Sequence, residues 1–139
     1  MKPILVLSLT SLFALAALLP SPAVAAEAPA AVAKADFSTP VGTTKAFFAA
    51  IKARDFATVE KALAPKMRDR IAKKGITTER FSIELLAEIG SVVSIADEPS
   101  QIAETQAKVP VTFNDPKKGF QVEGINLIKV GAEWQIEAF

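Results

Sequence analysis

The sequence predicts an α+β domain in which N-terminal helices pack on a curved antiparallel sheet. Apolar residues recur with helical spacing from Val41 to Ile89, and from Ser91 onward the apolar period shortens to two. The second half is also richer in β-branched and aromatic residues, as strands require. Glycine-containing turns separate its last three strands, so these strands can pair as consecutive hairpins.

The first 26 residues have the pattern of a signal peptide. Lys2 precedes a nearly continuous apolar run from Ile4 to Leu19, and the small residues Ala23-Val24-Ala25-Ala26 follow. A transmembrane anchor, the alternative, needs about 20 apolar residues. We therefore expect cleavage and export to the periplasm or the medium, with no stable membrane anchor.

The predicted mature chain has two parts. Residues 27–36 are rich in alanine and contain no aromatic residue, so too little apolar surface is present to offset the entropy of ordering. We expect a flexible linker there. Residues 37–139 are expected to form a single domain around one core, because they are too few for two.

The composition excludes several classes of function. There is no cysteine and no histidine, so the usual ligands of zinc, copper and iron are missing. Lys2 is the only charged residue of the predicted signal peptide, and its removal changes the formal charge from +1 to 0. A neutral chain lacks the excess of Lys and Arg that binds nucleic acid. We therefore expect no cofactor, no metal and no nucleic-acid partner.

The first predicted helix begins beside Pro40. Ser38 or Thr39 can cap its free backbone N–H groups, and proline suits the first helical position because it has no N–H to satisfy. Asp55 has the properties of an N-cap for a second, short helix. Pro65 then interrupts the apolar stripe, which indicates a break in the chain direction.

Two further helices are predicted before the strands. Residues 66–74 continue with helical spacing, and Gly75 is a natural C-terminal stop. Thr77 or Thr78 can cap the last helix, which Gly90 ends.

The strands are predicted from alternating apolar and polar residues. Residues 92–96 form a short strand, and residues 103–113 alternate throughout. Pro110 cannot donate to a ladder, so we expect a sheet edge or a bulge there. A turn over residues 114–119 leads to a third strand, 120–130.

The third predicted strand contains a change of parity. Phe120 and Val122 lie on one face of an ideal strand, whereas Ile125 and Leu127 lie on the other. A β-bulge at Gly124 would bring all four side chains to one face and bend the sheet.

The last two strands are predicted to form a tight hairpin. Gly131-Ala132 connects them, which places Leu127 opposite Ile136 and Lys129 opposite Trp134.

Residues 40–63, PVGTTKAFFAAIKARDFATVEKAL, form a helix rich in Phe and Ala that ends at an Asp starting the next helix. Residues 127–136, LIKVGAEWQI, form a hairpin in which a Gly turn precedes Trp-x-Ile. Together they resemble the nuclear transport factor two-like superfamily, which has a cystatin-like α+β fold, and in particular its small exported bacterial members of unknown function. The resemblance implies a cone-shaped domain whose sheet wraps a helix and leaves an apolar pocket.

In the leading hypothesis the chain is an exported, non-catalytic binding or interaction module. Its pocket, between the first helix and the sheet, or its outer sheet face, would bind an apolar small molecule or another protein. The alternative is that the protein's own side chains fill the hollow. The expected pocket residues are Phe47, Phe48, Ile51, Leu85, Phe113, Leu127 and Trp134.

Two other functions follow from the resemblance. One is an enzyme of the isomerase or dehydratase type, whose carboxylate base moves a proton in the pocket. Asp97 is the candidate base because it shares strand parity with Val93 and Ile95, although it also has the composition of a solvated turn. Tyrosine, a usual partner of such a base, is absent. The other is a homodimer that pairs through the open sheet face.

Overall fold

The computed structural model describes residues 34–139. The predicted signal peptide and residues 27–33 of the predicted linker lie outside this range. In the described chain four helices precede five strands: α1 Pro40–Ala53, α2 Phe56–Ala62, α3 Pro65–Lys73, α4 Thr78–Ile89, β1 Ser91–Ile95, β2 Gln101–Ile102, β3 Gln106–Asp115, β4 Gly119–Val130 and β5 Glu133–Ala138. The helices pack on one antiparallel sheet, which confirms the predicted α+β class.

Three of the four helices, α1, α2 and α4, begin at capping residues that the sequence predicts. The Thr39 hydroxyl accepts a hydrogen bond from the Gly42 N–H at 3.0 Å, and Thr77 caps α4 in the same way. At the start of α2 the Asp55 carboxylate accepts from both the hydroxyl and the N–H of Thr58. These two bonds, the hydroxyl bond first, hold the pKa of Asp55 below its ordinary value because they stabilise the charged form.

The sheet has the strand order β1-β3-β4-β5, and β2 pairs with the part of β3 that β1 leaves free. Pro110 lies in the gap between β1 and β2, where its missing N–H has no ladder partner to satisfy. Its carbonyl still accepts from the Ala96 N–H at 3.0 Å. The prediction of a sheet edge or a bulge at Pro110 is met only in part, because β3 is an inner strand in unbroken register with β4 and the ladder is interrupted only on its other side.

β3, which corresponds to the predicted strand 103–113, begins later than the alternation predicts. Ala103 donates its N–H to the Gln106 carbonyl at 2.7 Å, so residues 103–105 form the turn of a β2–β3 hairpin. The predicted strand 103–113 is wrong over its first three residues, because two-residue alternation continues by chance into a turn. The two-residue strand β2 lacks the length that a pattern needs.

The predicted bulge at Gly124 is wrong. The register between β3 and β4 is unbroken, with Gly124 opposite Pro110. Phe120 and Val122 therefore lie on the outer face and are 71% and 69% exposed. A Cβ at Gly124 would overlap the Lys108 side chain, so the glycine makes room for that side chain instead.

Register shifts occur at two other places, and these bend the sheet. One lies in β1 between Val92 and Ser94, and the other lies between β4 and β5 next to Leu127. Between that second shift and the hairpin turn, Leu127 pairs with Ile136 and Lys129 pairs with Trp134. The predicted hairpin register is therefore confirmed.

The core lies between α1 and the inner face of the sheet. Fully buried side chains from β3, β4 and β5 face the helix, among them Val109, Val111, Ile125, Leu127 and Ile136. The outer edge of β5 is also covered, since Trp134 donates its N–H to the Phe37 carbonyl and Ala64 donates to the Ile136 carbonyl, both at 2.8 Å. These bonds satisfy backbone groups that would otherwise invite another strand.

Candidate functional site

The seven residues predicted to wall an interior pocket are all buried in the core. The rings of Phe47 and Phe48 pack edge to face at 5.0 Å, and Phe139 lies 5.6 Å from Phe47. Phe113 lies 5.7 Å from Phe48. These aromatic contacts fill the hollow where the pocket was expected.

The seven residues therefore line no common cavity. Phe48 forms part of one surface groove, Leu85 and Phe113 form part of a second, and Leu127 forms part of a third. The expectation of one interior pocket built from them is wrong in geometry, because the Phe rings of α1 reach the sheet and close the space.

Asp97 lies at the surface, beyond the end of β1. Its side chain is 93% exposed and forms an ion pair with Lys45, whose Nζ is 3.0 Å from Asp97 Oδ1. This position matches the alternative prediction, in which Asp97 lies in a solvated turn. It lacks the burial that a cavity base relies on, so the predicted placement of Asp97 in a pocket is wrong.

The parity argument for Asp97 fails because of the bulge in β1. Val92 pairs with Phe113 and Ile95 pairs with Val111, so both point toward the inner face although they are three residues apart. Val93, which was expected to share a face with Ile95, is instead 52% exposed. An irregularity inside a five-residue strand leaves no mark that sequence periodicity can detect.

The bulge in β1 also helps to build the most apolar cleft among residues 34–139. This cleft, here called the α1/β1 groove, has a volume of about 540 Å³. It lies between one side of α1, the C-terminal end of α4 and the beginning of β1. Its lining residues are Lys45, Phe48, Ala49, Lys52, Leu86, Gly90, Ser91, Val92 and Ile95.

Helix geometry explains how α1 lines the groove. Lys45, Phe48, Ala49 and Lys52 are spaced at three- and four-residue intervals, so they share one side of the helix. Phe48 points down into the core, Ala49 is exposed, and the two lysines lie at either end of this row.

The floor of the groove is made of aliphatic side chains. Leu86, Val92 and Ile95 are half-buried and pack against the core with their inner sides. Gly90, with a φ of 75°, connects α4 directly to β1, and Leu86 and Val92 on either side of this connection both line the groove. The groove can therefore cover an apolar molecule, while its two ammonium groups can attract negative charge.

Three other clefts of the described residues have more polar linings. One of about 430 Å³ crosses the sheet beside Lys66 and Arg70, and another of about 410 Å³ lies along α3. A smaller one of about 250 Å³ contains the exposed carboxylates Glu88 and Glu123. In that cleft Asp115 accepts from the N–H groups of the following turn, which holds its pKa below the ordinary value.

Residues 34–139 have two features that bear on membranes and metal ions. None of the helices has the length and apolar character needed to cross a bilayer. No group of three or more acidic side chains in this part of the chain is arranged to hold a metal ion.

Comparison with known proteins gives a likeness of fold. No protein-family model matches the sequence, and no curated protein matches it significantly. The structure is similar to a crystal structure of a Campylobacter jejuni protein named as an NTF2-like transpeptidase, with 18% sequence identity and a TM-score of 0.49. The match covers 73% of this chain and 100% of the other.

Proposed function

We propose that the protein is an exported, non-catalytic binding module that takes an apolar small molecule in the α1/β1 groove. The observation that carries this proposal is the aliphatic floor that Leu86, Val92 and Ile95 leave in contact with solvent. Covering such a surface is favourable by about 25 cal/mol for each Å² removed from water. The groove volume, about 540 Å³, lies within the range of small-molecule sites.

The chemistry of the lining supports binding over catalysis. Apart from backbone groups, its polar atoms belong to two lysines and Ser91, and no carboxylate is among the lining residues. Proton transfer needs a positioned base within hydrogen-bond reach of the substrate. Nothing in the groove is placed for that role at neutral pH, whereas its apolar floor suits retention of a ligand.

Filling the groove should abolish binding of a neutral apolar probe such as Nile red. Ala49 is exposed between the two lysines, so Ala49→Trp would lay an indole across the floor without changing charge. We expect the probe to bind at least tenfold more weakly, as measured by fluorescence titration of the protein in the form its host processes.

Ala57→Trp is the matched control, because Ala57 is also an exposed helical alanine but does not line the groove. Thermal unfolding of both variants shows whether either one is damaged. Equal probe affinity for the two Trp variants and the wild type would contradict the proposed site.

A second candidate function, homodimer formation through the outer sheet face, is favoured by the exposure of Phe120 and Val122. Both lie on β4, and Val93 of β1 adds a third exposed apolar side chain to the outer surface. If this face pairs two copies, Val122→Lys should convert a dimer into a monomer, as measured by light scattering. A monomeric mass for the wild type at 0.1 mM, on the order of the concentration where weak dimers form, would exclude this candidate.

A further inference from the structure

The charged side chains that line the α1/β1 groove, Lys45 and Lys52, are of one sign. Lys45 and Lys52 are seven residues apart on α1, so their Cα atoms are separated by two helical turns, or about 10.5 Å. No acidic side chain lines the groove. An apolar floor with cationic ends is complementary to a molecule that has an apolar body and a negative end.

Lys52 is available for such a molecule. None of the ion pairs that residues 34–139 form within 4.0 Å involves Lys52. Its ammonium group is close to the C-terminal end of α1, where a cation also interacts favourably with the helix dipole. The interaction with the helix dipole does not occupy the three N–H donors of the ammonium group, so they remain available to a ligand.

Lys45 is engaged, but only weakly. Its pair with Asp97 is a surface ion pair, since the two side chains are 51% and 93% exposed. Such pairs add little to stability and exchange readily with water and ions. A ligand anion that arrives at the groove can therefore replace Asp97 as the partner of Lys45.

We propose that the ligand of the groove is a single-chain amphiphile with an anionic head group, either a carboxylate or a phosphate. The head group contacts the ammonium of Lys52, with Lys45 adding attraction from the other end, and the acyl chain lies on Leu86, Val92 and Ile95. A peptide is a poorer fit because its backbone needs several hydrogen-bond partners, and Ser91 supplies the only neutral polar side chain in the lining. The inference rests on the proposed function of the same groove.

The test compares head groups and chain lengths by titration calorimetry below the micelle concentration of each probe. We expect decanoate and decyl phosphate to bind more tightly than decanol, and added salt to weaken the two anions but not the alcohol. Each further methylene should tighten binding about fourfold while the chain still fits the groove. The tighter of the two anions identifies the head group.

The second part of the test removes the positive charges of the groove lysines. Lys52→Gln should weaken decanoate binding about two- to fivefold, as expected for an exposed ion pair, and leave decanol binding unchanged. The double variant Lys45→Gln/Lys52→Gln should weaken it about 4- to 25-fold, since effects at sites this far apart add. Lys73→Gln is the matched control, because Lys73 also lies in the last turn of a helix, α3, but outside the groove.

The outcomes separate the two proposals. If decanoate and decanol bind equally, or if Lys73→Gln weakens decanoate binding as much as Lys52→Gln does, the anionic head group is wrong and the apolar site stands. If neither decanol nor decanoate binds, the proposed function fails, and this inference fails with it. Selective loss of decanoate binding in the groove variants supports both.

Discussion

Phe47→Ala is expected to lower the free energy of unfolding by about 3–5 kcal/mol, because it removes a ring from the centre of the core. Phe47 is fully buried on α1. Its ring contacts that of Phe48, which is held on the same helix, at 5.0 Å and that of Phe139, which directly follows β5, at 5.6 Å. The space that the ring leaves can therefore collapse only in part. Urea denaturation, followed by circular dichroism, measures the loss directly.

Phe120→Ala is the matched control for this experiment. Phe120 is 71% exposed on the outer face of β4, so the same substitution should change stability by about 0.5 kcal/mol or less. The comparison also tests the register of the sheet. A large loss at Phe120 would mean that this ring is buried, as the sequence-predicted bulge at Gly124 requires, and would contradict the structure.

Gly90→Ala is expected to lower the free energy of unfolding by about 2–6 kcal/mol, for two reasons that add. Gly90 has φ 75° and ψ −143°, a conformation that side chains resist at a cost of about 1–3 kcal/mol. An added Cβ would also overlap the carbonyl oxygen of Asn114, and relieving this overlap costs about 1–3 kcal/mol more. The strain would push β1 away from β3 and distort the α1/β1 groove.

Gly75→Ala separates these two causes. Gly75 also has a positive φ, 68°, but nothing lies within 4 Å of an added Cβ. At Gly75 only the cost of the positive φ remains, and the lower entropy of the unfolded chain partly offsets it. We therefore expect the free energy of unfolding to fall by about 1 kcal/mol. Thermal unfolding of both variants checks the difference. Equal losses would show that the contact between Gly90 and Asn114 does not restrain the α4–β1 connection.

The elements that sequence predicted well depend on neighbouring residues. Thr39, Asp55 and Thr77 cap helices because a side-chain oxygen two or three residues away can reach a free N–H. The β4–β5 hairpin follows for the same reason, since Gly131-Ala132 leaves only a short connection and the pairing of Leu127 with Ile136 comes from it.

Two of the wrong predictions depend on what a strand lies beside. Gly124 was expected to mark a bulge, but the glycine accommodates Lys108 from the neighbouring strand. Val93 was expected to face inward, but the shift in β1 turns it outward. In both cases the residue is compatible with either arrangement, and only the neighbouring strand decides between them.

The residues that line the candidate groove are mostly not those expected of the pocket. A pocket was expected between the first helix and the sheet, and the α1/β1 groove lies at that boundary, yet Phe48 is its only member among the seven expected residues. Lys45 and Lys52 were not among the expected residues. The sequence shows that Lys45 and Lys52 are spaced to share one side of α1 with Ala49. This spacing indicates a groove only once β1 and the end of α4 are known to lie beside that side of the helix.

The amino-acid sequence alone determined the α+β class, the helix boundaries and the β4–β5 register, because these follow from hydrogen bonds and side-chain spacing over a few residues. Tertiary structure decided which side chains fill the interior and where an apolar surface remains exposed. Packing distant elements together lets Phe47, Phe48 and Phe113 close the hollow, while the bulge in β1 turns Val92 and Ile95 toward α1. Both outcomes depend on contacts between residues far apart in the chain, which no local pattern encodes.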